Sequence, residues 1–444
     1  MKYLKSIIEQ IGSITNVQKK FVITLFTTIL TLRGKMTFTN MSRYSELSEK
    51  TYRRHFSEKI DFEQLNKGTI ERAIAATARQ MAVMDASFID KSGKKTYGID
   101  YFYNGCASRA EKGMEISAIS VVDVDANIGY TLSVKQTPAQ VKVQKPANDE
   151  TTKKAVGNKQ VADKSITSAT KAKKKKLSKR GDSKKLTEQD NTRIDFYLEH
   201  LKGTRSYLPS SIRYITTDGG YTKIKYVNGV RQLDLHLISK LRCDANLLYL
   251  YTGPHYKRRG ARRKYDGKVN LQDVSRLTYL CEVEDKISLY TTVVRSVCLK
   301  LNIRIAYLLD RRDDKKFRFV VLFSTDIEID PKEIYCFYKS RFQIEFIFRD
   351  AKQFTGLTDC QARDKDKLDF HFNASLSALN LAKLDAHLDH TSDEPFVFSM
   401  DNSKRLYFND YLLNQFISML DLDPTLIKNH PNYEFLRACG SIAA

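Results

Sequence analysis

The chain has 444 residues, enough for two or three domains and one sizeable core. Lys plus Arg number 74 against 52 Asp plus Glu, a formal charge of +22, so the expected partner is a polyanion, nucleic acid first. Seven cysteines with no Cys-x-x-Cys pair argue against a disulfide framework and a zinc module, and the lack of a Walker loop, a dinucleotide-binding glycine fingerprint or a His-Glu-x-x-His argues against a nucleotide cofactor.

The first residues lack the apolar core of a signal peptide. The run Phe21 to Leu32 is too short for a bilayer and holds four threonines, so a cytoplasmic protein with no membrane partner is expected. Thr15-x-x-Gln18 reads as a capping box opening a helix that stops at Gly34. Phe38, Met41, Tyr44 and Leu47 continue at helical spacing. Ser48 then caps a helix with Tyr52 and Phe56 facing inward and Lys50, Arg53 and Arg54 outward. Residues 1–75 are therefore expected to form a helical DNA-binding region that sets these cations against a groove, as in a helix-turn-helix. An ordinary helical hairpin with a solvated basic face has the same pattern.

Strand patterns begin at Met81. MAVMDASFI, KTYGIDYFYN, MEISAISVVDVD and IGYTLSVKQ predict sequential antiparallel strands within 76–134. Asp85 lies behind four core-compatible residues, where a carboxylate either caps a turn or serves a site. Asp90, Asp123 and Asp125 fall in turn sequences. Residues 135–190 have no Phe, Tyr or Trp and carry 16 Lys or Arg against 6 Asp or Glu. This basic flexible insert cannot bury a core, and it serves either as a nonspecific phosphate binder or as a solvated linker.

The segment 191–242 contains an amphipathic helix from Asn191 to Leu201 and a short strand at Ile212, Tyr214 and Ile215. Asp218 and a Gly-Gly turn end that strand, and LDLHLISKLR forms the next. Over 243–330, the alternation from Val297 to Ala306, with RFVVLFST and TYLCEVE, predicts a β-rich insertion. Its loop YKRRGARRKYDGK sets Arg258, Arg259, Arg262 and Arg263 beside Tyr256 and Tyr265. That mixture suits phosphates and stacked bases, and a ligand-free basic loop reads the same.

The most informative stretch is YCFYKSRFQIEFIFRDAK, Tyr335 to Lys352. Read as one helix, it places Tyr338, Arg341, Glu345, Arg349 and Lys352 within about 80° of one another, with aromatic and aliphatic residues on the other sides. The helix should sit deep. A buried glutamate among cations is either an ion-pair ladder or a metal ligand beside phosphate-gripping groups.

Tyr338, Arg341, Glu345 and Lys352, separated by two, three and six residues, match a signature position for position. The sequence resembles bacterial insertion-sequence transposases with a ribonuclease H-like DDE catalytic core. The resemblance implies an α/β fold in which a mixed sheet flanked by helices is built from 76–134, 191–242 and 331–390 and interrupted by the insertion, with a C-terminal helical region over 391–444. It makes Asp85, on the first core strand and followed by Ser87 and Lys91, the first catalytic and metal-binding carboxylate, with Asp90 as its rival. Asp218 and Glu345 are the other two.

It further implies two Mg²⁺ ions per site, with Mn²⁺ as a substitute, contacts from Arg341 and Lys352 to DNA phosphates, and a Tyr338 that positions Arg341 or a phosphate oxygen; Arg349, on the same stripe, is a further DNA-binding candidate. The expected partners are double-stranded transposon ends and target DNA, bridged by a homodimer in a nucleoid-associated complex. Relatives that excise through a DNA hairpin hold a flipped base with an aromatic, often Trp, in the insertion; this chain has no Trp. The implied function is cleavage at terminal inverted repeats and transfer of the 3′-hydroxyls to target DNA. A non-catalytic DNA-binding descendant and a metal-dependent nuclease without strand transfer are the alternatives.

Overall fold

The computed structural model describes residues 3–9, 11–12, 14–93, 95–139, 192–254, 261–313, 317–390 and 396–442. Arg258, Arg259 and nearly all of the basic insert lie outside these residues.

The chain opens with α1 (Leu4–Glu9) and α2 (Asn16–Thr31). The capping box forms as expected: Gln18 N donates to Thr15 Oγ1 at 3.3 Å and Thr15 N donates to Gln18 Oε1 at 3.0 Å. Next come α3 (Phe38–Met41), a single turn shorter than its apolar spacing suggests, α4 (Glu49–His55) capped by Ser48, and α5 (Phe62–Ala73). Tyr52 and Phe56 are buried, whereas Lys50, Arg53 and Arg54 are exposed. This region shares the main core: the Phe56 and Phe62 rings lie 4.4 and 5.2 Å from Phe370, far along the chain.

β1 (Gln80–Asp90) is central, and its run Met81–Met84 is buried because both faces of the strand are covered. After β2 (Asp100–Asn104), β3 (Arg109–Asp123) pairs antiparallel with all of β1, and its other edge carries β2 and β4 (Ile128–Gln136). Helix α6 (Arg193–Thr204) leads to β5 (Tyr214–Thr217), parallel to β1. Helix α7 (Ile224–Gln232) leads to β6 (His236–Lys240), parallel to β5. These helical crossovers are what parallel neighbours require.

The strands β7 (Leu247–Leu250), β8 (Tyr265–Lys268), β9 (Thr278–Glu284), β10 (Ile287–Ser296), β11 (Leu301–Asp310) and β12 (Arg318–Ser324) follow. The expected β-rich insertion is joined to the core sheet, because β12 pairs with β6, and the twelve strands among the described residues form one sheet. The alternation from Val297 also needs correction. Residues 297–300 turn the chain between β10 and β11, with Lys300 at φ 55°, and the strand starts at Leu301.

Helices α8 (Pro331–Ser340), α9 (Gln343–Phe354), α10 (Lys365–Asp389), α11 (Met400–Met419), α12 (Pro424–Lys428) and α13 (Tyr433–Arg437) complete the chain. Buried α10 closes the free edge of β4. Asn380 accepts from Thr131 N at 2.9 Å and donates to Thr131 O at 2.6 Å, and Lys383 Nζ donates to Gly129 O at 2.7 Å. An edge strand is thus satisfied by side chains instead of another strand. No helix among the described residues is long and apolar enough to cross a membrane.

Behind the sheet, His200 of α6 is buried between two hydroxyls, Ser117 Oγ and Ser133 Oγ, each 3.0 Å from a ring nitrogen. Burial, with Lys135 nearby, pushes its pKa down to about 3. Because the folded value lies below the unfolded one, the stability from neutral His200 is present above pH 6.5 and is lost as pH falls towards 3. Going from pH 7 to pH 5 is expected to cost about 2 kcal/mol. Chemical denaturation at both pH values checks this, and His200→Gln should flatten the dependence.

Candidate active site

Asp85 directly follows the part of β1 that is paired on both sides. Met84 pairs with Thr217 in the parallel ladder, so the next residue on each strand, Asp85 and Asp218, falls side by side. Adjacent strands lie about 4.8 Å apart. Asp218 keeps extended geometry (φ −67°, ψ 160°) before the chain turns through a short 3₁₀ segment, Gly219–Tyr221. Gly219 lets the chain pass close to β6, where a Cβ would stand a tight 3.1 Å from Lys240 O. Ser239 Oγ donates to Thr217 O and Asp218 O at 3.0 and 3.1 Å, which pins the strand end.

Glu345 comes from the first turn of α9, where the helix dipole favours an anion. The single helix expected from Tyr335 to Lys352 is two helices. Between them the chain tightens: Phe342 N, Ile344 N and Glu345 N bond to the carbonyls three residues back, at Lys339, Arg341 and Phe342. Nor is the segment deep on every side, since Phe342 and Phe346 are exposed beside Glu345.

Arg341 joins the carboxylates. It is 7% exposed, with Nη1 at 3.3 Å from Asp85 Oδ2 and Nη2 at 2.8 Å from Glu345 Oε1; the two acids are 20% and 45% exposed. Its guanidinium also lies 5.6 Å from the Tyr338 ring centre and 5.0 Å from that of Phe342. Burial pushes the Asp85 carboxyl up to about 6. The Ala86 amide and Arg341 oppose the shift, and the charges of Asp218 and Glu345 add to it. The three acids therefore share one electrostatic neighbourhood.

Among the described residues, no three His, Cys, Asp or Glu side chains are close enough to hold a metal ion together. The expected ligands Asp85, Asp218 and Glu345 therefore do not form a ready-made metal site. Arg341 explains it, because a guanidinium occupies the space between Asp85 and Glu345.

The remaining expected site residues divide clearly. Tyr338 is half-buried against Arg341, and burial raises its pKa. Lys352 Nζ donates to Phe88 O of β1 at 2.9 Å, and burial lowers its pKa. Arg349 is exposed and paired with Asp350 at 2.9 Å. Arg262 is exposed, whereas Arg263 bonds Asp266 and packs 4.8 Å from the Tyr251 ring centre, near β8, six strands from β5 in the sheet order. Lys50, Arg53 and Arg54 lie on α4, and the structure gives them no contact with the carboxylates. Beside Asp218 opens a cavity of about 390 Å³ lined by Gly220, Lys240, Arg242 and Phe319 among others. The sequence reading does not single out Lys240 and Arg242, although both cations close the strand pattern LDLHLISKLR.

A family model described as DDE superfamily endonuclease matches residues 14–293. The chain belongs to this family. The match includes the stretches that hold Asp85 and Asp218 and ends before Glu345. No individual curated relative matches the chain. Membership makes the protein a nuclease-type enzyme of a family that typically uses divalent metal ions.

Proposed function

We propose that this DDE endonuclease is an insertion-sequence transposase with a ribonuclease H-like core. It would cut DNA at the terminal inverted repeats of its own element and join the 3′-hydroxyls to target DNA. The observation that carries this reading is that Asp85 and Asp218 directly follow Met84 and Thr217, the last pair of the parallel β1–β5 ladder, with Glu345 tied to Asp85 through Arg341.

The residues present suit hard divalent ions. Three carboxylates supply oxygen donors, and their mutual repulsion, felt at Asp85, is the kind a cation relieves. Asp85, Asp218 and Glu345 would hold two Mg²⁺ or Mn²⁺ ions once Glu345 leaves Arg341. Bound there, such ions supply activation of the attacking oxygen and stabilisation of the leaving one. The chain's own contribution is positioning. Lys352, held on Phe88 O, keeps α9 on β1, and Arg341, released from its carboxylates, would turn its planar fork to a phosphate. Tyr338, packed against Arg341, and exposed Arg349 would contact the same DNA, and exposed Lys50, Arg53 and Arg54 offer cations for end recognition. A homodimer would bridge two ends.

The test is a joining assay on linear DNA carrying the inverted repeats that flank the gene, with Mg²⁺ and a supercoiled acceptor. Cleavage followed by covalent joining of the 3′ ends is expected. Cleavage without joining would instead assign a nuclease, and end binding without either reaction a non-catalytic DNA-binding protein.

A further inference from the structure

The ribbon made by β2 and the start of β3 takes no part in the site above. β1 ends at Asp90, opposite Gly113, whereas β2 and residues 109–112 of β3 continue as two antiparallel strands closed by the turn 105–108. Register decides which way their side chains face. Asp85 is opposite Ala118, and stepping along β3 in twos from Ala118 reaches Lys112 and Ala110, the partners of Tyr101 and Tyr103. Alternate residues share a face, so Tyr101, Tyr103 and Lys112 stand on the face that carries Asp85. Lys112 lies about 20 Å along the strand from Ala118, roughly six base-pair steps of duplex.

The tyrosines are large, exposed and uncommitted. Tyr101 and Tyr103 are 59% and 61% exposed. Their hydroxyls and the Lys112 ammonium have no partner among the described residues. Phe102, between them, turns the other way and is buried, with the Arg193 guanidinium 4.6 Å from its ring centre. Arg193 also donates to Tyr101 O at 3.0 Å, and Asn104 Nδ2 to Glu111 Oε2 at 2.7 Å, so the ribbon is braced while its outer side chains stay free.

We propose that this ribbon is a second contact surface for the duplex DNA that runs on from the cut, resting on the DNA-cleaving role above. A two-stranded ribbon fits a major groove. Lys112 neutralises a phosphate, the tyrosine hydroxyls donate to phosphate oxygens, and their rings lie against sugars. Continuity with the Asp85 face and a cation lacking a counter-ion favour DNA over a protein partner.

The experiment compares the full chain with the Tyr101→Ala/Tyr103→Ala/Lys112→Ala variant on a labelled duplex of about 40 base pairs. These side chains are exposed, and circular dichroism confirms the fold. The variant is expected to bind about tenfold more weakly, and Lys112→Ala alone should lower the salt dependence of binding by about one ion. A wild type that binds DNA and a variant that binds equally well would overturn the ribbon proposal and leave the cleavage reading intact. Altered self-association at unchanged DNA affinity would overturn it too, by assigning the ribbon to a protein contact. A wild type that binds no duplex would defeat both.

Discussion

Asp85→Ala, Asp218→Ala and Glu345→Ala are each expected to lower Mg²⁺-dependent cleavage of end-containing DNA by about 10³-fold or more, whereas Asp90→Ala leaves it within a few-fold of wild type. Asp85 and Asp218 directly follow the last pair of the parallel β1–β5 ladder, Met84 and Thr217, so losing either removes oxygen donors that no neighbour replaces. Asp90 ends β1 opposite Gly113, five residues from Asp85 and exposed, out of reach of that pair. Glu345 is the most searching of the three, because the family match stops before it. It is also solvent-accessible on a first helical turn, so its alanine variant should fold normally. Single-turnover cleavage over a Mn²⁺ and Mg²⁺ titration gives the answer. If Glu345→Ala cuts at the wild-type rate while the two aspartate variants do not, the third carboxylate lies elsewhere and the assignment of α9 fails.

What could be read beforehand follows from the range of the forces involved. Capping at Thr15 and Ser48 is local chemistry, and both caps form where the residues call for them. Asp85 stood out because a carboxylate interrupted a buried run, and Asp218 because a strand ended in Asp-Gly-Gly. Neither clue required knowledge of a distant partner. The pairing of β12 with β6 was invisible, since a strand's neighbour depends on long-range register instead of local pattern. The tightening at Arg341 and Phe342 had no Gly or Pro to announce it, and an apolar circumference cannot say which face meets solvent, so exposed Phe342 and Phe346 were read as core. Helical spacing made Arg341 and Glu345 neighbours four residues apart. It could not reveal that the same guanidinium also holds Asp85 from another element.

That bridge leads to the second large effect. Arg341→Ala is expected to destabilise the metal-free protein by about 1–2 kcal/mol at pH 7 and by more at higher pH, because it strands a mostly buried carboxylate beside two like charges. The loss should shrink when Ca²⁺ or Mg²⁺ is added, since a cation then takes over the role of the guanidinium. The variant should therefore gain more denaturant resistance from the ion than wild type does. Arg341→Lys should recover only part, as an ammonium cannot bond two carboxylates with one planar fork. The pH dependence has a definite sign. Asp85 already has a folded value raised to about 6, and removing the nearest cation raises it further, so the deficit appears as pH rises through that value and fades below it as the carboxyl takes up a proton. A double variant, Asp85→Asn with Arg341→Ala, leaves no stranded charge and should be more stable than Arg341→Ala alone. Equal stability of Arg341→Ala and wild type without metal, together with identical responses to Ca²⁺, would show that the guanidinium does not stand in for a cation between Asp85 and Glu345.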